Sequence, residues 1–266
     1  MALKELPHRL QDLDPQLEAG LQFIRGLNVG DSPEALEYFQ QSLTFWQQVG
    51  VGFTDNVSRQ TDNITKPAPI DPNVETIDNE TKPVRINAKL KAGLVLFYIG
   101  LYHYRTTDRK KHQAINWQTS KIHLQHCLEI FDQENRPDLV AKCITQLERV
   151  LQRMQAWDQL EQVAQKALPL HQQYGSTSKL AQDYSFLAEV ALQQQRWDDA
   201  RQAAQQAENI ISQLPKHKQW TQGLNLLFLA QAERLLGNKQ AAISHLVKAR
   251  DLGNFGHPII YVRILE

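Results

Sequence analysis

Cysteine is almost absent from this chain: Cys127 and Cys143 are the only two in 266 residues. That is too few for a disulfide framework and fits the reducing cytoplasm. Charge of one sign is not in excess either, since Lys plus Arg and Asp plus Glu stand at 29 each. Net charge therefore offers no footprint for nucleic acid. No stretch approaches the ~18 apolar residues of a membrane span, and the opening MALKELPHRLQDLDPQ holds no apolar core of signal-peptide length. A cytoplasmic protein is expected, with neither nucleic acid nor membrane as partner. The sequons at Asn56, Asn63 and Asn79 read as chance matches in a polar segment. A phosphate-binding glycine loop, a Gly-x-Ser-x-Gly elbow, His-Glu-x-x-His and Cys-x-x-Cys are all missing. The expectation is a protein that is not an enzyme and uses no cofactor.

What is abundant is glutamine, 32 residues, while valine and isoleucine are sparse outside two short runs. Gln, Ala, Leu, Glu and Lys lose little on entering a helix, whereas strands favour the β-branched and aromatic types that are thin here. The fold class expected is all-α.

Trp117, Trp157 and Trp197 recur at intervals of 40 residues. A shift of 40 also superposes Cys127 on Ala167 and Ala207, and Leu124 on Ala164 and Ala204. Each period divides into two helical stripes spaced by three and four. Ile144, Leu147 and Leu151 precede the break at Gln155-Ala156-Trp157, and Leu160, Val163, Ala164, Ala167 and Leu168 follow it. Tyr184, Leu187, Ala188 and Ala191 repeat the first stripe, and Ala200, Ala203, Ala204, Ala207 and Ile211 the second. A last unit, offset by 42 residues, reads Leu226, Leu229 and Ala230, then Leu236-Gly237-Asn238, then Ala242, Leu246 and Ala249. Small residues at these positions let two helices approach closely. Each unit is predicted to be a helical hairpin, with turns near 28–32, 106–114, 155–158, 195–198 and 236–239 and with the turn tryptophans largely buried.

These residues resemble the tetratricopeptide repeat, in which a helix of aromatic-x-x-Leu-Gly-x-x-Tyr type pairs with one of Ala-x-x-x-Phe type. Leu96, Ile99, Gly100 and His103 fit the first half. Ala242, Leu246 and Ala249, or Ala35, Phe39 and Ser42, fit the second, and Pro137, Pro215 and Pro258 fall between hairpins. The period of 40–42 departs from the usual 34. The template glycine is replaced by Glu148, Ala188 and Ala230, and the tyrosine by Leu151, Ala191 and Glu233. The chain is similar to a long-period variety of the repeat, as in arrays of bacterial signal-transduction ATPases and regulators. The resemblance implies an α-α superhelix, a solenoid of antiparallel hairpins.

Three segments are expected: an N-terminal helical hairpin over 1–50, a mobile acidic insert over 51–86, and repeats over 87–266. The insert carries prolines 67, 69, 72 and 83 and few large apolar residues, so it cannot repay its ordering entropy. The C-terminal HPIIYVRILE begins a new apolar stripe without a polar capping helix, so more repeats beyond Glu266 are expected in the natural protein.

Three clusters compete as sites. His123, His126 and Cys127 could offer metal ligands, but Cys127 holds the small core position of Ala167 and Ala207, so no metal is expected. Arg109-Lys110-Lys111-His112 could touch an acidic group, but solvated charge in a turn explains it as well. Phe97, Tyr98, Tyr102 and Tyr104 make an aromatic stripe whose outer part lies off the packing face.

In tetratricopeptide-like arrays the first helix of each hairpin lines the concave side and receives peptides or partner helices. By this resemblance the partner-binding face comprises Phe97, Leu101, Tyr104 and Arg105; then Lys142, Thr145, Arg149, Gln152 and Arg153; then Gln182, Ser185, Glu189 and Gln193; and lastly Leu227, Gln231 and Arg234. Lys142, Arg149 and Arg153 bring three cations to one helix face, and arginine's fork suits carboxylates, so an acidic protein or peptide partner is expected. The leading reading is a non-enzymatic protein-interaction scaffold. The alternative is a ligand-sensing or regulatory module of a larger signalling ATPase.

Overall fold

The computed structural model describes residues 14–60, 87–106, 113–214 and 222–253. Among these there are ten α-helices and no strand: α1 Pro15–Val29, α2 Pro33–Gln60, α3 Ala88–Arg105, α4 Gln113–Gln133, α5 Pro137–Arg153, α6 Trp157–Tyr174, α7 Thr177–Gln193, α8 Trp197–Ile211, α9 Gln222–Leu235 and α10 Lys239–Gly253. Two compact units divide at Tyr102 and His103, near the end of α3. One difference is in α2, which runs ten residues into the segment expected as a mobile loop. The first proline after Pro33 is Pro67, so nothing in 51–60 interrupts the helical backbone. Residues 61–86, most of that expected loop, lie outside the described residues, as do the basic run 109–112, Pro215 and the C-terminal 254–266.

In the first unit Asp14 caps α1 by accepting from the Gln16 amide at 3.0 Å, and Pro15 takes the first helical turn, where no amide partner is needed. Ala19 and Gly26 bring α1 close to α2. A Cβ at Gly26 would lie 2.5 Å from the Phe39 ring, and the buried Ser42 hydroxyl donates to the Ala19 carbonyl at 2.7 Å. Phe23, Phe39 and Tyr98 of α3 close this core, with ring centroids 5.2–5.9 Å apart.

In the second unit each helix packs on the next, and the alternate pairs α5–α7 and α7–α9 also touch. The first helices of successive hairpins thus form one layer. Alanine is the commonest residue of this core: Ala164, Ala167, Ala188, Ala200, Ala204 and Ala207 are fully buried, among them Ala167 and Ala207, which the 40-residue register aligned with Cys127. Hairpin ends share one backbone device. After α5 the Ala156 amide bonds back to the Leu151 carbonyl and Gln155 to Gln152; after α7 Arg196 bonds to Ala191 and Gln195 to Leu192; after α9 Asn238 bonds to Glu233 and Gly237 to Arg234. These Schellman caps place Gln155, Gln195 and Gly237 in the left-handed region, at φ 55°, 61° and 86°.

The turn tryptophans Trp117, Trp157 and Trp197 are partly buried, short of the full burial of core residues. Trp157 and Trp197 each open a second helix, immediately after the turn. Such a ring can lay only one side on the core, as Trp197 does against the cluster around Ala188 and Leu226.

Candidate functional site

The candidate face is built on α5, α7 and α9. Lys142, Arg149 and Arg153 recur along α5 at helical spacing. Lys142 and Arg153 are exposed and Arg149 is half-buried. Across the groove Arg149 donates to the Gln182 side chain of α7 at 3.3 Å, and Gln152 donates to the Glu189 carboxylate. Lys179, at the start of α7, donates to the Ala141 and Lys142 carbonyls, each at 2.9 Å. These rungs join α5 to α7 along their length. Half-burial of the Lys179 ammonium lowers its pKa.

Among the described residues none of Lys142, Arg149 and Arg153 forms an ion pair with a carboxylate. The second helices differ. There Arg196 pairs with Glu161 at 2.6 Å and Asp199 at 3.0 Å, Arg201 with Asp198 at 3.0 Å, and Lys166 of α6 with Asp132 of α4 at 2.6 Å. Lys166, Arg196 and Arg201 are thus neutralised internally, whereas these three cations of α5 have no carboxylate partner among the described residues.

Farther along the same layer a groove of about 610 Å³ runs between α7, α9 and α10. Leu192, Leu224, Leu227, Phe228 and Leu246 make its apolar lining, and Glu189, Gln193, Gln231 and Arg234 add polar groups. Five expected face residues, Glu189, Gln193, Leu227, Gln231 and Arg234, therefore line one groove, and Gln182 joins Arg149 across the layer.

Other expected positions differ. Leu101 is only 8% exposed, Thr145 2% and Ser185 6%. In the second unit, alanine-rich crossings draw neighbouring first helices so close that Thr145 and Ser185, beside the packing stripe, are covered as well. Ser185 returns its hydroxyl to the Ala181 carbonyl at 2.8 Å. Phe97 is half-buried and meets Tyr98 edge-on, with centroids 5.6 Å apart; both belong to the first unit. In the second unit Tyr104 is half-buried and Arg105 exposed.

The His123, His126 and Cys127 cluster separates. Cys127 is fully buried beside Cys143, and this neighbour and burial together push the Cys127 thiol up. His123 stacks on His103 with centroids 5.9 Å apart. Among the described residues no group of three or more His, Cys, Asp or Glu is placed to hold a metal ion, and no helix is long and apolar enough to cross a membrane.

Behind the face lies a constellation the sequence reading did not find. Glu148 of α5, His171 of α6 and Asp183 of α7 are 0–2% exposed. His171 Nδ1 stands 2.7 Å from Asp183 Oδ2, and its Nε2 stands 2.7 Å from the Ala141 carbonyl, so Nε2 carries a proton and donates. Neither Glu148 oxygen accepts from an N–H or hydroxyl group, and its carboxyl lies against that of Asp183. Burial, and then the neighbouring Asp183, push the Glu148 carboxyl well above its usual range. Burial raises Asp183 too, against the opposing pull of His171. The one sequence signal was Glu148 itself, a carboxyl where the sister repeats carry Ala188 and Ala230.

No family model matches the sequence, and no curated protein matches it. Among solved structures the chain is similar to aspartyl phosphate phosphatase F from Bacillus subtilis, with a TM-score of 0.60 at 11% identity over 94% of this chain and 54% of that one. It is also similar to kinesin light chain TPR-like repeats from Podosopora anserina, with a TM-score of 0.53 at 12% identity over 91% of this chain and 97% of that one. A Rap protein complexed with competence and sporulation factor gives a TM-score of 0.50 at 11% identity, over 92% of this chain and 56% of that one. This chain spans about half the length of the phosphatase and of that Rap protein. At such identities the likeness is one of fold: this is a tetratricopeptide-like helical repeat protein.

Proposed function

We propose that the protein is a non-enzymatic interaction scaffold whose first-helix layer, α5, α7 and α9, binds an acidic segment of a partner protein or peptide. The observation that carries this reading is the contrast in charge pairing. Lys142, Arg149 and Arg153 lack carboxylates, whereas Lys166, Arg196 and Arg201 on the second helices have them. Guanidinium groups left without a carboxylate favour carboxylates supplied from outside. The apolar lining from Leu192 to Leu246 would hold the uncharged side chains of the same segment. The solved complex of a Rap protein with its factor supports the reading at the level of a shared fold. That fold likeness also favours one alternative, a regulatory repeat module of a larger signalling protein.

Selection of random dodecapeptides displayed on phage tests the proposal. Selected peptides should be rich in Asp and Glu with aliphatic residues between them. Their affinity should fall as salt rises, because exposed ion pairs are screened over a Debye length of about 8 Å at physiological ionic strength. Arg149→Glu with Arg153→Glu should abolish binding and leave melting nearly unchanged, since both side chains lie outside the stripe of Ile144, Leu147 and Leu151. Cationic selected peptides, or acidic ones that bind the double reversal equally well, would sink the proposal.

A further inference from the structure

The junction of α5, α6 and α7 holds three ionisable side chains with no access to water, which is costly unless their charges are matched. The geometry limits where protons reside. His171 Nε2 must keep one for the Ala141 carbonyl, and a second must lie between His171 Nδ1 and Asp183 Oδ2, 2.7 Å apart, whichever of the two carries it. Glu148 has no donor on either oxygen, and Asp183 Oδ1 has none either. A charged Glu148 would therefore be a second buried negative charge beside Asp183, without a hydrogen bond to hold it.

Charged and titratable groups from each element around Glu148 do not relieve this. On α6 there is His171, already committed to Asp183 and Ala141. On α7 there is Lys179, whose ammonium is held by the Ala141 and Lys142 carbonyls at 2.9 Å. On α5 itself there are Cys143, buried against Cys127 of α4, and Arg149, turned outward to Gln182 at 3.3 Å. The sister repeats need no such arrangement, because Ala188 and Ala230 stand where Glu148 does.

We propose that Glu148 and Asp183 form a proton-held clasp between α5 and α7 that releases as the medium becomes alkaline. When Glu148 loses its proton, the new charge can be met only by drawing in Lys179 or Arg149. The first move gives up the rung to the Ala141 and Lys142 carbonyls, and the second gives up Gln182. In either case the layer that presents Lys142, Arg149 and Arg153 is rearranged, so the clasp regulates the face assigned above. That consequence rests on the proposed partner-binding reading; the clasp itself does not.

Glu148 has a raised pKa in the fold. Its contribution to stability is therefore complete below the ordinary value of 4.5 and is lost as pH rises toward the folded-state value. One proton retained by the fold and released by the unfolded chain lowers the folding constant tenfold per pH unit across that window. Urea melts of wild type, Glu148→Gln and Glu148→Ala between pH 5 and 9 test this. Both variants should lose up to a tenfold-per-unit slope relative to wild type, and Glu148→Ala guards against a misfolded amide because it copies the sister repeats. Hydrogen exchange on the wild type should show protection factors in α5 and α7 falling with pH while those in α9 and α10 hold. Parallel pH profiles for all three proteins, or a carboxyl NMR titration of Glu148 with its midpoint in the ordinary glutamate range, would overturn the proposal. If peptide binding fails while the Glu148 slope persists, only the reading of the face is lost.

Discussion

Gln155 and Gln195 stand 40 residues apart and close the α5–α6 and α7–α8 turns in the same left-handed conformation, at φ 55° and 61°. The corresponding position after α9 is Gly237, at φ 86°. The 40-residue period is thus written in the backbone as well as in the side chains, although only one of the three turns carries the residue that adopts this conformation without strain.

Replacing Gln155 or Gln195 with glycine should therefore stabilise the protein by about 0.5–1 kcal/mol. Relief of about 1–2 kcal/mol of left-handed strain outweighs the added freedom of the unfolded chain. Urea melts of the two single variants check this. A loss of stability in both would mean that the glutamine side chains hold the turns by other contacts.

The tryptophans at the starts of α6 and α8 should matter less than full core residues. With only part of each ring covered, Trp157→Ala and Trp197→Ala should each cost about 1–3 kcal/mol, below the 3–5 of a buried ring. Thermal melts decide it, and a larger loss would place the rings inside the core.

At the start of α5 the Arg136 guanidinium grips Asp138 through two hydrogen bonds of 2.8 Å and holds its carboxyl down at about 2. The sign is that of a depressed acid: whatever the pair contributes is present above the ordinary value of 3.8 and is lost as pH falls toward about 2. Because both side chains are about 40% exposed, the effect on global stability should be small. A carboxyl NMR titration should find the Asp138 midpoint near 2 and, in Arg136→Gln, back in the ordinary aspartate range. An unchanged midpoint in that variant would show that the helix terminus, not Arg136, sets it.

The sequence by itself determined the hairpins of the second unit and their turns at 155–158, 195–198 and 236–239, because each depends on residues close together in the chain. The three-and-four spacing of Ile144, Leu147 and Leu151, the small residues at Ala164, Ala204 and Cys127, and the break at Gln155 are local patterns with one physical solution. It also placed Lys142, Arg149 and Arg153 on one side of α5. Only the tertiary structure decided what lies beneath that side. Glu148, His171 and Asp183 come from three different helices, and their carboxyl and imidazole groups meet only when α5, α6 and α7 pack. Burial then changes their chemistry: in water Glu148 would be an ordinary acidic residue, and in the packed junction its carboxyl is pushed well above its usual range. The same packing covered Thr145 and Ser185, which the repeat resemblance assigned to an open face. Spacing gives direction around one helix axis, whereas exposure depends on how closely the neighbouring helices approach, and in this chain alanines at the crossings set that distance.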